Sequence, residues 1–316
     1  METVPRADQV EPDIAEYLAS PLASFDDFAA TTAPQVREHF AKLRTATEVP
    51  DVAEVTDASF AGPSGPVPVR IYRAALDRPA PAILWFHGGG WVLGNLDTAE
   101  LPARTLCAQT GCTVISVDYR LAPEAPFPAA FDDCAASLAW LRETAADLAV
   151  DPDRIIVGGD SAGGNLAAAI ATAERDAGRA LLGQLLIYPV VEPPSADGYG
   201  ETGSGYGLTE SALHWFWDQY LPDPEDRADR RANLTEAELA STPPAYVLTC
   251  GFDPLAAEGL RFASSLEEAG VPVVADHLLP AIHGVFAMDV GTGRQARAAA
   301  SAWVVELLDD GGLERS

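Results

Sequence analysis

Gly159-Asp160-Ser161-Ala162-Gly163 lies between the β-type run RIIVG and the alanine-rich helical run GNLAAAIATAERDAG. A serine on a sharp strand-to-helix turn needs small neighbours, because bulky ones would clash as the hydroxyl is lifted above the sheet edge. The turn also puts Ser161 at a helix N-terminus, whose N–H groups and positive dipole end favour a developing oxyanion. This pattern points to nucleophilic catalysis; a Gly-rich turn that only packs or binds phosphate is the plainer alternative. A second element, His87-Gly88-Gly89-Gly90-Trp91, directly follows the run AILWF. Consecutive glycines let the backbone approach a ligand and aim successive N–H groups at one place, although a Gly triplet is also a common turn. His87 ends the strand leading into that loop, a place that fits a structural, hydrogen-bonding role better than that of a base.

A serine hydroxyl is a poor nucleophile until a base takes its proton and a carboxylate orients the base. Five histidines are present: His39, His87, His214, His277 and His283. His39 falls in an N-terminal helical region, His214 in an irregular stretch and His277 inside the strand-like VPVVADHLL. His283 follows that run, with Gly284 giving the loop freedom, and is the candidate base. The acid is sought between Ser161 and His283, the chain order that accompanies such a serine turn, just after a strand. AYVLTCGFDPL supplies Asp253, followed by Pro254 at a helix start, on the carboxyl edge where open α/β sheets bind ligands. Asp253 could instead serve only as a helix cap, with Glu258 and Asp276 as weaker substitutes for the acid.

The elements that must position these groups follow from patterning. Ile14, Tyr17 and Leu18, then Val36, Phe40 and Leu43, recur at helical spacing before residue 47. EVTDASFAG and VPVRIYRA, separated by GPSGP, predict a hairpin. Beyond Pro81 the apolar runs AILWF, CTVISVDY, RIIVGG, LLGQLLIYPVV, AYVLTCG and VPVVADHLL alternate with helices beginning near Thr98, Ala129, Ala162, Leu255 and Arg294. That alternation requires a parallel sheet with crossovers, an α/β fold. The Gly/Pro/Ser-rich EPPSADGYGETGSGYG and the following LTESALHWFWDQYL interrupt it and predict an inserted lid or binding segment. The predicted organisation is N-terminal helices at 1–47, core at 48–195 and 234–316, and an insertion at 196–233.

With 316 residues, 48% of them hydrophobic, the chain can bury a large core without staples. Its 20 Lys and Arg against 47 Asp and Glu give a net charge of -27, with Lys42 the single lysine. Counterion release on phosphate backbones needs Lys and Arg, so nucleic acid and anionic membrane surfaces are unsuited partners. Cys107, Cys112, Cys134 and Cys250 match neither paired CxxC units nor a dense disulfide framework and read as buried free thiols. The acidic start METVPRADQVEPDIAEY lacks an apolar leader core, and no run approaches the ~18 apolar residues of a membrane span. A soluble cytoplasmic protein, monomer or homodimer, is expected.

From about residue 48 onward the chain resembles the hormone-sensitive-lipase-like family of α/β-hydrolase esterases, which includes the arylacetamide deacetylases. The resemblance rests on HGGGW at 87–91, VDYRLAPEAPFPAAFDD at 117–133, GDSAGGNLA at 160–168, WFW at 215–217, DPLAAEG at 253–259 and HGVF at 283–286. It implies an α/β-hydrolase fold in which the N-terminal helices and the segment after the sixth strand form a cap. It further implies that the N–H groups of Gly89, Gly90 and Ala162 form the oxyanion hole, and that DYRLAPEAPFP, despite Asp118, Arg120 and Glu124, is a structural loop. The family commonly has His-Gly-Phe after the last strand; here Val285 precedes Phe286, a change expected to affect the pocket rather than the base. Trp91, Trp215, Val285 and Phe286 are the expected substrate contacts. Trp215, Phe216 and Trp217 cannot share one helix face. The chemistry expected is two-step acyl transfer on small, uncharged esters, with no metal or cofactor. A peptidase or amidase would share the triad, and a binding-only receptor would be expected to have lost one of its members.

Overall fold

The computed structural model describes residues 4–20, 31–42, 48–75, 79–194 and 198–313. Leu43 and the boundary drawn at 195/196 lie outside them, while the boundary at 47/48 abuts them. Chain order gives α1 (Pro12–Leu18), α2 (Ala33–Lys42), β1 (Glu54–Gly62), β2 (Gly65–Arg73), β3 (Ala80–Phe86), α3 (Glu100–Thr110), β4 (Thr113–Val117), α4 (Ala129–Glu143) and β5 (Val150–Asp160). There follow α5 (Ala162–Asp176), β6 (Gly183–Ile187), α6 (Glu210–Tyr220), β7 (Ala245–Phe252), α7 (Ala256–Glu268), β8 (Val273–Ile282) and α8 (Gly291–Leu313).

The strands form one eight-stranded sheet in the order β1-β2-β4-β3-β5-β6-β7-β8. β1 and β2 make the antiparallel hairpin that the sequence predicts, and β2 pairs antiparallel with β4; every pairing from β4–β3 to β7–β8 is parallel. A parallel sheet must be covered on both faces, and the strand side chains alternate accordingly. Leu84, Phe86, Val157, Leu186 and Val247 enter one apolar cluster with residues of α4, α5 and α7. Ile83, Trp85, Ile156, Leu185, Ile187 and Leu248 enter a second, with residues of α3 and α8. The alanines of α5 keep its axis close to the sheet, and Ala167, Ala169 and Ala171 are almost wholly buried.

The N-terminal helices pack on this frame. Ile14 is fully buried in the second cluster and Val36 in the first. Ahead of α1, Ala7 N–H donates to Leu279 O (3.1 Å) and Glu11 N–H to Pro280 O (3.1 Å), so this arm covers part of edge strand β8. Arg37 on α2 donates to Val92 O (2.8 Å) and Ala122 O (2.9 Å) and pairs with Glu124. The four cysteines are buried and free. Among the described residues, no helix is long and apolar enough to cross a membrane.

Candidate active site

Ser161 occupies the turn from β5 into α5 with φ +57° and ψ -118°, a conformation that L-residues rarely adopt. Its N–H donates to Ile187 O (2.8 Å), and its carbonyl accepts from Asn165 (3.0 Å) and Val190 (3.2 Å). The small neighbours are required in detail. A Cβ on Gly163 would stand 2.0 Å from Phe86 O, and one on Gly159 would stand 2.4 Å from the Gly163 backbone.

His283 follows β8, and Gly284 at φ +85° turns the chain beyond it. The imidazole spans the gap expected of a base: Nε2 is 2.8 Å from Ser161 Oγ and Nδ1 is 2.8 Å from Asp253 Oδ2. A hydroxyl proton aimed at Nε2 requires Nδ1–H to face the carboxylate, which fixes the productive tautomer. Asp253, 2% exposed, also closes a local turn just ahead of α7, its Oδ1 accepting from Leu255 N–H at 2.8 Å, while the N-cap position of that helix is Leu255 and carries no side-chain cap bond. The contact with the imidazole and the contact with the backbone use different oxygens of Asp253. The substitutes are engaged elsewhere. Asp276 Oδ2 accepts from Tyr246 Oη (2.8 Å), and Glu258 Oε1 accepts from Val191 N–H (2.8 Å).

The remaining histidines have other surroundings. His277 lies between Thr249 Oγ1 (2.7 Å) and Pro5 O (2.6 Å), and His214 is exposed on α6. His87 stacks on Tyr119 at 4.3 Å and donates from Nδ1 to Gly88 O at 2.8 Å. Burial pushes its pKa down to about 4, leaving the ring neutral. Asp118, Arg120 and Glu124 do not form one cluster: Arg120 pairs with buried Asp133, Glu124 with Arg37, and Asp118 Oδ1 is 4.0 Å from His87 Nε2.

Gly89 and Gly90 adopt φ +118° and +58° beside Ser161, and all three line one cavity. Ala162 is the first residue of α5, where helix N–H groups have no partner within the helix. Asp160, which sequence reasoning left without a role, braces the glycine loop: Oδ1 accepts from Gly88 N–H at 3.0 Å. Burial pushes its pKa up to about 6 against the opposing pull of that N–H and of nearby His283.

The cavity holds about 320 Å³, near the small end of the range for ligand sites. Of the four residues expected to contact substrate, Trp91 lines it. Trp215, Val285 and Phe286 do not. Trp215 is half-buried with its ring edge-on to Phe216, Val285 is fully buried, and Phe286 stacks on Trp85 at 5.7 Å within the second apolar cluster. Their place in the wall is taken by Val190, Leu208, Leu213, Phe216 and Trp217, with Tyr17, His39 and Phe40 contributed by α1 and α2. Leu213, Phe216, Trp217 and Tyr220 are all buried on α6, at the i, i+3, i+4, i+7 spacing that marks an inward helical face. That spacing was the sequence signal for the wall. Among the described residues, no group of three or more His, Cys, Asp or Glu could hold a metal ion.

Residues 83–287 match the family described as alpha/beta hydrolase fold. The carboxylic ester hydrolase LipN of Mycobacterium tuberculosis is 40% identical over 273 residues, covering 83% of this chain and 71% of its own length. Ethyl acetate hydrolase of Pseudomonas putida is 38% identical over 285 residues, covering 84% and 88%. The hyperthermophilic esterase of Pyrobaculum calidifontis superposes with a TM-score of 0.90 at 35% identity over 95% of this chain and 99% of that one. The chain belongs to the hormone-sensitive-lipase-like family of α/β-hydrolase esterases. It is a carboxylic ester hydrolase.

Proposed function

We propose that this esterase hydrolyses small, uncharged short- to medium-chain acyl esters through a Ser161–His283–Asp253 triad. The supporting observation is the continuous relay, with both of its hydrogen bonds at 2.8 Å, opening into a cavity of about 320 Å³. His283 takes the Ser161 proton as Oγ attacks the ester carbonyl, and the oxyanion is held by the N–H groups of Gly89, Gly90 and Ala162. The tetrahedral intermediate collapses by breaking the bond to the alcohol oxygen, which leaves with the proton from His283. Water then attacks the acyl-enzyme, again giving its proton to His283; collapse releases the carboxylic acid and returns the proton to Ser161. Asp253 holds the tautomer and stabilises the imidazolium. The helices α1 and α2 and the segment 198–233 act as a cap, which supplies the cavity's aromatic wall.

Ser161→Ala and His283→Ala, assayed separately with p-nitrophenyl butyrate, should each lose on the order of 10⁴ to 10⁶ in kcat with the fold intact. Asp253→Asn should lose about 10⁴. A tenth of wild-type activity remaining in either of the first two variants would overturn the assignment.

A further inference from the structure

The oxyanion loop is bent into left-handed backbone at three successive positions: Gly89 (φ +118°), Gly90 (φ +58°) and Trp91 (φ +60°). Tryptophan gains nothing from that region, so neighbours must hold it there. On the sheet side the holders are polar. Asp160 Oδ1 accepts from Gly88 N–H and Tyr119 Oη donates to His87 O at 2.7 Å, and within the loop itself Gly89 O accepts from Val92 and Leu93 N–H at 3.1 and 2.8 Å.

On the opposite side the holders are flat rings from α6. Phe216 lies against Gly90 so closely that a Cβ there would be 2.4 Å from its ring. Tyr220 lies parallel to Trp91, with ring centroids 4.2 Å apart and planes within 7°. Phe127 meets Tyr220 edge-on at 5.6 Å. Tyr220 is fully buried and does not line the cavity, and its hydroxyl has no hydrogen-bond partner among the described residues. What Tyr220 presents to the loop is the flat face of its ring, stacked on Trp91.

We propose that Tyr220 is a positioning residue for the oxyanion loop, its ring fixing Trp91 and thereby the direction of the Gly89 and Gly90 N–H groups. This rests on the oxyanion-hole reading given above. Donors aimed at the tetrahedral oxyanion act mainly in the transition state. Loosening their support should therefore lower kcat and leave KM nearly unchanged. A residue that served only packing would lower Tm without such a split.

The test compares full-length wild type with Tyr220→Phe, Tyr220→Leu and Tyr220→Met on p-nitrophenyl butyrate, well below each Tm. Inhibition by a trifluoromethyl ketone, which forms a tetrahedral adduct on serine, is measured in parallel. Leu and Met occupy space without offering a flat face. Both should lose about tenfold or more in kcat, below the 10² to 10³ of deleting a donor outright. KM should stay within threefold, and ketone affinity should weaken by the same factor as kcat. Tyr220→Phe should match wild type in all three. A kcat within threefold of wild type in folded Tyr220→Leu, a loss confined to KM, or an equal loss in Tyr220→Phe would each overturn the proposal. If neither aliphatic variant folds, Phe127→Leu carries the test: a smaller kcat loss of about threefold at constant KM supports it, and an unchanged kcat refutes it. Ser161→Ala separates the two levels, since activity surviving there sinks the serine-esterase reading whatever Tyr220 does.

Discussion

Glu258 offers a stability prediction that can be worked from its surroundings. It sits on the first turn of α7, fully enclosed, and burial pushes its pKa from 4.5 up to about 8 despite a hydrogen bond from Val191 N–H. The native state therefore keeps a proton that the unfolded chain releases near its ordinary pKa. Stability contributed by the neutral acid is complete below pH 4.5, falls as the pH climbs, and levels off above about 8. A span of 8 minus 4.5 corresponds to about 5 kcal/mol in all, of which about 3 kcal/mol falls between pH 5 and pH 8. Glu258→Gln keeps an acceptor for Val191 and cannot ionise. Its stability relative to wild type should rise by about 3 kcal/mol over that interval, measured as the difference between the two denaturant midpoints at each pH, scaled by m. Parallel curves for variant and wild type would refute the argument. Activity gives a second check, because Glu258→Gln should retain kcat at pH 7 while Asp253→Asn does not; the reverse order would move the acid of the triad to Glu258.

Gly163→Ala should fail to accumulate or lose more than about 3 kcal/mol by denaturant melt, since its Cβ would stand 2.0 Å from Phe86 O and neither chain segment can retreat. A net charge of -27 with one lysine predicts that Tm rises from low salt to molar NaCl as self-repulsion is screened; a flat or falling curve would leave only a compositional preference of Arg over Lys. Against p-nitrophenyl esters, kcat/KM should peak around butyrate to hexanoate, because each accommodated methylene adds at most about 1–3 kcal/mol and Phe216 and Trp217 close the wall. Palmitate exceeding butyrate would show that the wall opens.

What could be read in the sequence was what depends on local chain geometry. A serine between glycines at a strand-to-helix turn, an aspartate before proline at a strand end, and a histidine before glycine each declare a place on the sheet's carboxyl edge. In the structure Ser161 Oγ and Asp253 Oδ2 each lie 2.8 Å from a different ring nitrogen of His283. Side-chain direction was legible only where a period could be followed. Across α6 the spacing of Leu213, Phe216, Trp217 and Tyr220 marks the inward face, and Trp215 falls off it. Beyond His283 there is only a short turn, too brief to carry a period, so nothing local tells that Phe286 stacks on Trp85 rather than facing the ester. Asp160 and Glu258 take their character from burial by distant segments, which no neighbouring residue type announces.

The catalytic geometry proposed for this esterase lies as much in the backbone as in side chains. Ser161 and Trp91, neither of them glycine, both hold positive φ, at a cost of about 1–3 kcal/mol each. Such conformations persist only if the surroundings permit no alternative. At Ser161 the constraint is close approach: glycines on both sides leave the turn locked against the Phe86 carbonyl and its own helix. At Trp91 it is ring packing by Trp217 and Tyr220, while Phe216 backs the neighbouring Gly90 and hydrogen bonds brace the glycine loop. The two strained turns meet through Asp160, which is adjacent to the nucleophile in sequence and hydrogen-bonded to Gly88 N–H. One side chain thus links the loop that carries the glycine N–H groups to the turn that carries the serine. Donors and nucleophile acting as proposed would require a fixed mutual distance, and Asp160 ties together the two turns that carry them.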